Sequence, residues 1–143
     1  GRHPSYFKLH NINVTIDIKH HGAPGWFDLE ATATAQINLE VGGVHANTSA
    51  SGQGPVNAMD QALRKVIDKF YPSLDDVHLL DYKVRVLGGG ATASVVRVLA
   101  RYGDGHDDWG TVGVSSNIIE ASWQAIVDAL EYKLVKDGVR AHV

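Results

Sequence analysis

Residues 52–70 read GQGPVNAMDQALRKVIDKF, and residues 115–133 read SSNIIEASWQAIVDALEYK. Laid over one another at an offset of 63 positions, they match Ala58 with Ala121, Gln61 with Gln124, Ala62 with Ala125, Leu63 with Ile126, Ile67 with Leu130 and Asp68 with Glu131. Thr48 meets Thr111 just upstream. Such a period is longer than a solenoid repeat, and two copies make a pair of units rather than an array. In the first copy Met59, Ala62, Leu63, Val66, Ile67 and Phe70 fall on one helical stripe. Pro55 suits the first helical turn, where its missing N–H would have no partner, and Pro72 ends the helix. In the second copy the stripe is Ile119, Trp123, Ile126, Val127, Leu130 and Leu134. Asn117 with Glu120 three residues on has the spacing of a capping box, and Gly138 is a plausible stop.

Strands precede each helix. FKLHNINVTIDI alternates around Leu9, Ile12, Val14 and Ile16. EATATAQINLEV puts Ala31, Ala33, Ala35, Ile37 and Leu39 on one face and Thr32, Thr34, Gln36 and Asn38 on the other, a strand with one covered and one polar side. Gly42-Gly43 is a hairpin turn and VHANTSASG the returning strand. The second half repeats this with VHLLDYKVRVL, TASVVRVLARY and WGTVGVSS, joined by the turns GGGA and GDGHDD. Hairpins rather than helices link the strands, which excludes all-helical and Rossmann arrangements. The expected fold is α+β: two pseudo-twofold-related βββα units, antiparallel strands packed against two helices, in one domain spanning 1–143 with its repeat at about 7–72 and 77–138.

The composition narrows the functions. Hydrophobic residues make up 44% of the 143 and charged residues 20%, a globular balance. With 13 Lys and Arg against 16 Asp and Glu there is no basic surplus for nucleic acid, and no apolar run is long enough for a membrane span. The absence of cysteine excludes thiolate nucleophiles and thiolate metal sites, and is compatible with the cytoplasm. Met59 is the only methionine, so the chain reads as a piece of a longer protein.

Eight histidines occur without H-x-H or H-E-x-x-H spacing, and they read as solvated side chains rather than metal ligands. His106-Asp107-Asp108 reads as a polar turn. No serine sits in G-x-S-x-G, and no catalytic or metal-binding residue is expected. GGGA, from Gly88 to Ala91, lacks the helix and lysine of a phosphate loop and reads as a hairpin turn, or as glycines that let the backbone approach a small ligand. GQGP, from Gly52 to Pro55, says more. It brings bare backbone N–H groups to a helix N-terminus, where partial positive charge can hold a carboxylate without arginine. Asn57 adds an amide, while Val56, Val86 and Ala93 offer apolar wall. A free amino acid would suit such a corner, as would a merely structural junction.

G-x-G-P-V-[ND]-A before an amphipathic helix, DYKVRVL before G-x-A-x-[AS]-VVRVL, and DDWGTVGVSSNIIEASWQAIVDALEYKL together resemble the C-terminal regulatory domain of the α-isopropylmalate synthase and citramalate synthase family, the last run resembling the citramalate branch. The resemblance extends from about Phe7 to Asp137, and HHGAPGWFD is the segment without a match. It implies a dimerising domain that binds an end-product amino acid, isoleucine or leucine, and inhibits a separate (β/α)₈ barrel. That barrel would condense acetyl-CoA with a 2-oxo acid, pyruvate in the citramalate branch, using a divalent metal. It implies no cofactor in this domain. By motif the effector positions are Gly52, Gln53, Gly54, Pro55, Val56, Asn57, Tyr82, Val86, Ala91 and Ala93. A purely structural dimerisation module and a small free-standing enzyme are the competing readings.

Overall fold

A computed structural model describes residues 6–20, 29–88 and 95–142. The expected GGGA turn and the HHGAPGWFD segment lie largely outside the described residues. Strands β1 (Lys8–His20), β2 (Leu29–Val41) and β3 (Val44–Gly52) form one antiparallel sheet in that order and lead into α1 (Pro55–Phe70). A single 3₁₀ turn, Pro72–Leu74, leads to β4 (His78–Leu87), β5 (Val95–Gly103) and β6 (Asp108–Ser115), a second antiparallel sheet, and then to α2 (Ile118–Lys136). The α+β arrangement of two βββα units is therefore as the sequence predicts. No described helix is long and apolar enough to cross a membrane.

The two units agree in detail. Val41 pairs with Val44 across Gly42 and Gly43, both at positive φ (56° and 81°), the combination a two-residue hairpin turn needs. The β1–β2 register slips by one residue at His10, and the β4–β5 register slips in the same way at Leu80. Each is a bulge in the edge strand. In β2, Ala33, Ala35, Ile37, Leu39 and Val41 face the core, as the alternation predicts, and β5 supplies Val98, Ala100 and Tyr102.

Each helix folds back over its own sheet. Met59, Ala62, Leu63, Val66 and Ile67 are buried on α1. On α2 the buried face is Ala121, Ser122, Ala125, Ile126, Ala129, Leu130 and Leu134, whereas Ile119, Trp123 and Val127 are only partly covered. The stripe read from sequence was thus rotated toward the bulky residues. Close approach of β6 selects the alanines instead: a Cβ on Gly113 would collide with the Ala121 carbonyl. Thr111 Oγ1 and Trp109 Nε1 donate to the carbonyls of Ala125 (2.6 Å) and Ala129 (3.0 Å), stitching β6 to the helix.

The helix ends are closed in different ways. Asn117 accepts from Ile119 N (2.8 Å) and Glu120 N (3.3 Å), half of the expected capping box. In the other half, the Asn117 N–H is taken by Ser115 Oγ (3.1 Å) rather than by Glu120. At the far end Gly138, at φ 70°, donates to Val135 O and Val139 N to Leu134 O, a Schellman closure.

Buried polar contacts join the halves and ends. Tyr71 Oη donates to Tyr6 O (2.6 Å), Tyr6 Oη donates to Val139 O (2.8 Å), and His142 N donates to Tyr71 Oη (2.8 Å). Arg64 on α1 holds the segment before β4 by donating to Leu74 O and Val77 O. Tyr102 Oη on β5 donates to Asp60 Oδ1 on α1 (2.7 Å). Burial raises the Asp60 carboxyl above its usual range, against the lowering effect of the Tyr102 hydrogen bond. In the His106 turn, Asp104 accepts from Asp107 N and His106 N and pairs with Lys133 (2.7 Å), which hold its carboxyl well below the usual range.

Two carboxylates with opposite signs give two predictions. Tyr102→Phe strands the buried Asp60 and destabilises the chain by about 1–3 kcal/mol. Asp60→Asn keeps an acceptor for Tyr102 and is neutral or stabilising at pH 7. A raised carboxyl loses native stability as pH climbs from its unfolded value, about 4, through the folded one. Urea unfolding of the two variants at pH 7 checks both. For Asp104 the sign is reversed: its stabilisation is complete above about pH 4 and is lost as pH falls further. Asp104→Asn is expected to be less stable at pH 7 and to show a shallower loss of stability between neutral and acid pH in the same assay.

Candidate functional site

Gly54 and Asn117 occupy the same place in the two units, each the residue before its helix, at the same offset of 63 that aligns the repeats. The side chain of Asn117 closes the N-terminus of α2. Gly54, extended at φ −157° and ψ 171°, supplies none, so α1 has no side-chain cap from its N-cap residue. Ala58 N reaches Gly54 O (3.0 Å), which begins the helical ladder. Pro55 has no N–H, so the amides of Val56 and Asn57 are the donors at the positive end of α1.

The two glycines of GQGP make room for polar side chains rather than merely baring the backbone. A Cβ on Gly52 would collide with Asn57 Oδ1 and stand 3.0 Å from Ala58 N. A Cβ on Gly54 would lie 2.9 Å from the Tyr82 hydroxyl. Asn57 is oriented further by Gln61, whose Nε2 donates to Asn57 Oδ1 (2.5 Å). An open cleft of about 720 Å³ lies over this corner, lined by Ala31, Thr32, Ser51, Gly52, Gln53, Asn57, Gln61 and Tyr82. Gln53 is exposed and Tyr82 half-buried, so donors and acceptors are reachable from solvent.

Gly52, Gln53, Asn57 and Tyr82, four of the residues singled out from sequence, therefore line one cleft, with Gly54 against the Tyr82 hydroxyl. Val56 is fully buried, so it is core rather than cleft wall and is not part of the cleft lining. Val86 lies beyond Tyr82 on the same face of β4, is 68% exposed, and is not part of the cleft lining. Ala91 and Ala93 lie outside the described residues. Ala31, Thr32 and Ser51 were not anticipated. They arrive through the β2–β3 register, which sets Ala33 opposite Gly52 and Thr34 opposite Ser51. Nothing local in the sequence encodes that pairing.

An apolar surface adjoins the cleft. Ile16 and Ile18 pair with Ala33 and Ala31, and Val84 and Val86 pair with Val98 and Val96. Ala33 and Val98 are buried under the helices, yet Ile18 is 62% exposed. Ile16, Val84 and Val86 are exposed as well. The Ile16–Ile18 end of the inward row of β1 and the Val84–Val86 end of that of β4 are thus uncovered beside the cleft, Ile18 being paired with the cleft residue Ala31 and Val84 following Tyr82.

Comparison with known proteins shows the family. The family model for the LeuA allosteric (dimerisation) domain matches residues 1–134. An (R)-citramalate synthase of Geobacter sulfurreducens is 51% identical over 137 residues, 95% of this chain and 25% of that protein. The (R)-citramalate synthase of Streptomyces coelicolor is 47% identical over 140 residues, 97% of this chain and 25% of that protein. A 2-isopropylmalate synthase of Kocuria rhizophila is 31% identical over 112 residues, 78% of this chain and 18% of that protein. The chain spans about a quarter of the length of the citramalate synthases it matches. The family-model match over residues 1–134, with relatives about 50% identical over nearly the whole chain, places the chain in the LeuA allosteric (dimerisation) domain family.

Proposed function

We propose that this chain is the effector-binding, dimerising regulatory unit of a citramalate synthase-like acyltransferase. The longer enzyme would condense acetyl-CoA with pyruvate, using a divalent metal held outside this domain, in the cytoplasm. Isoleucine would bind here and favour a less active arrangement, feedback being a coupling free energy between the two sites. The carrying observation is the α1 N-terminus: Gly54 has no side chain to bond the first helical amides, as Asn117 does in the other unit, and Asn57 lines the cleft there. The Asn57 amide, at the positive end of α1 and in the cleft lining, suits the effector carboxylate. Asn57 Oδ1 and nearby carbonyls suit its ammonium. The aliphatic side chain would lie against Ala31 and the neighbouring apolar row.

A second copy of the chain completes this reading. Ile16, Ile18, Val84 and Val86 form an uncovered apolar surface beside the cleft, and a partner seated there would roof the ligand. Binding and dimerisation would then be coupled, because the ligand would touch both subunits. The higher identity to the citramalate synthases than to the 2-isopropylmalate synthase favours isoleucine and pyruvate over leucine and 2-oxoisovalerate.

Calorimetric titration of the chain with isoleucine, leucine and valine tests the ligand. Isoleucine is expected to bind most tightly, and folded chain giving no heat with any of the three would overturn the reading. Gly54→Asn places at α1 the cap that α2 already has and crowds Tyr82. It is expected to keep the fold, by circular dichroism, while weakening isoleucine at least about tenfold, equivalent to about 1.4 kcal/mol. Val86→Asp charges the uncovered row. Sedimentation is expected to show dimer in the parent chain and monomer in this variant, with isoleucine affinity reduced in step.

A further inference from the structure

The sequence gives its histidines no chelating spacing, but the fold gathers two of them with a carboxylate. His10, Glu40 and His45 stand on β1, β2 and β3, with one ligand atom from each within 4.8 Å of the others. Glu40 Oε1 lies 3.2 Å from His10 Nε2 and 3.3 Å from His45 Nε2, and the two imidazoles are stacked with centroids 5.0 Å apart. We propose that His10, Glu40 and His45 form a binding site for a late first-row divalent cation of the zinc type, clamping the three strands of the first sheet.

The distances carry the chemistry. Zinc bonds to imidazole nitrogen and carboxylate oxygen are about 2.0–2.2 Å, so neighbouring ligand atoms in a tetrahedron stand about 3.3–3.5 Å apart. Two edges of the triad are already close to that length. Two imidazoles and one carboxylate match the donor preference of zinc, nickel or copper rather than magnesium or calcium, which favour all-oxygen sets. The side chains of His10 and Glu40 are about one-third exposed and that of His45 is two-thirds exposed, leaving room for water at a fourth position.

Backbone geometry explains how the triad assembles. Glu40 and His45 are directly paired across the β2–β3 hairpin. His10 is the extra residue of the β1 bulge, and a bulge re-aims the side chain it carries. The bulge itself is not specific to this purpose, since β4 has one at Leu80. The ligand set is specific. In the second unit the corresponding places hold Leu80, Gly103 and Asp108, and Leu80 Cδ1 lies 2.9 Å from where a Cβ on Gly103 would stand. One unit therefore fills the place with a leucine over a glycine, and the other with three donors. The triad sits toward the Gly42–Gly43 turn, at the opposite end of β2 from Ala31 and Thr32, so it is separate from the cleft above.

Chelator-treated chain titrated with zinc chloride by calorimetry, and with cobalt chloride by visible absorption, tests this directly. The expected result is one zinc per chain, the absorption of tetrahedral cobalt, and no comparable heat with magnesium chloride. His10→Ala/His45→Ala is expected to abolish the cobalt spectrum and weaken zinc at least about tenfold, the least that disturbing even an outer partner of a ligand usually does. Glu40→Gln is expected to weaken zinc while preserving the fold. His20→Ala/His21→Ala should leave zinc binding intact. Absence of zinc uptake by the folded chain, or unchanged uptake in the His10/His45 variant, would overturn the proposal. Isoleucine titration of the same His10/His45 variant is expected to match the parent, which separates this site from the effector reading.

Discussion

The close approach of the third strand to the helix that follows it governs this structure. In each unit a strand ends, the chain turns, and a helix runs back over the same sheet. The turn leaves no room for bulk on either surface. In the second unit Gly113 lies against the Ala121 backbone, while Thr111 and Trp109 reach helix carbonyls directly. In the first unit the corresponding ladder position holds Ala50, facing a helix whose equivalent positions are Ala58 and Ala62. This close packing sets each helix N-terminus at the edge of its sheet, beside the last residues of the third strand. What the chain does there depends on one residue. Asparagine closes the end with its own side chain, whereas glycine has none to close it with.

Much of this was legible because it rests on short-range rules. Alternation marked β2, paired glycines at positive φ marked its hairpin, and Pro55 and Pro72 bracketed α1. Misreadings arose where packing overrode size. Periodicity on α2 favoured Trp123 and Val127, which carry the most apolar area, but the strand touches the alanines, because only small side chains admit a backbone at that distance. The expected reciprocal cap also failed in one half, since the Asn117 N–H donates to Ser115 Oγ instead of Glu120.

The candidate site divides along the same line. The Gly52–Asn57 corner could be read as an open helix start from its residues alone. Tyr82 could not: it lies on another sheet and entered only through the family resemblance. Ala31, Thr32 and Ser51 depend on strand register, which the sequence does not print. The His10–Glu40–His45 triad was invisible for a further reason. Its members are brought together by a hairpin and a bulge, and a bulge shifts a side chain without leaving a composition signal. Histidines that look dispersed along the chain can still share one end of a sheet.

The proposed effector site depends on a backbone amide at the start of α1 holding a carboxylate. Nitrogen-15 NMR of the chain during isoleucine titration addresses this most directly. The amide signal of Asn57 is expected to shift furthest and to saturate. Saturable shifts that leave this amide unmoved and gather elsewhere, such as on the polar outer face of the first sheet, would contradict this.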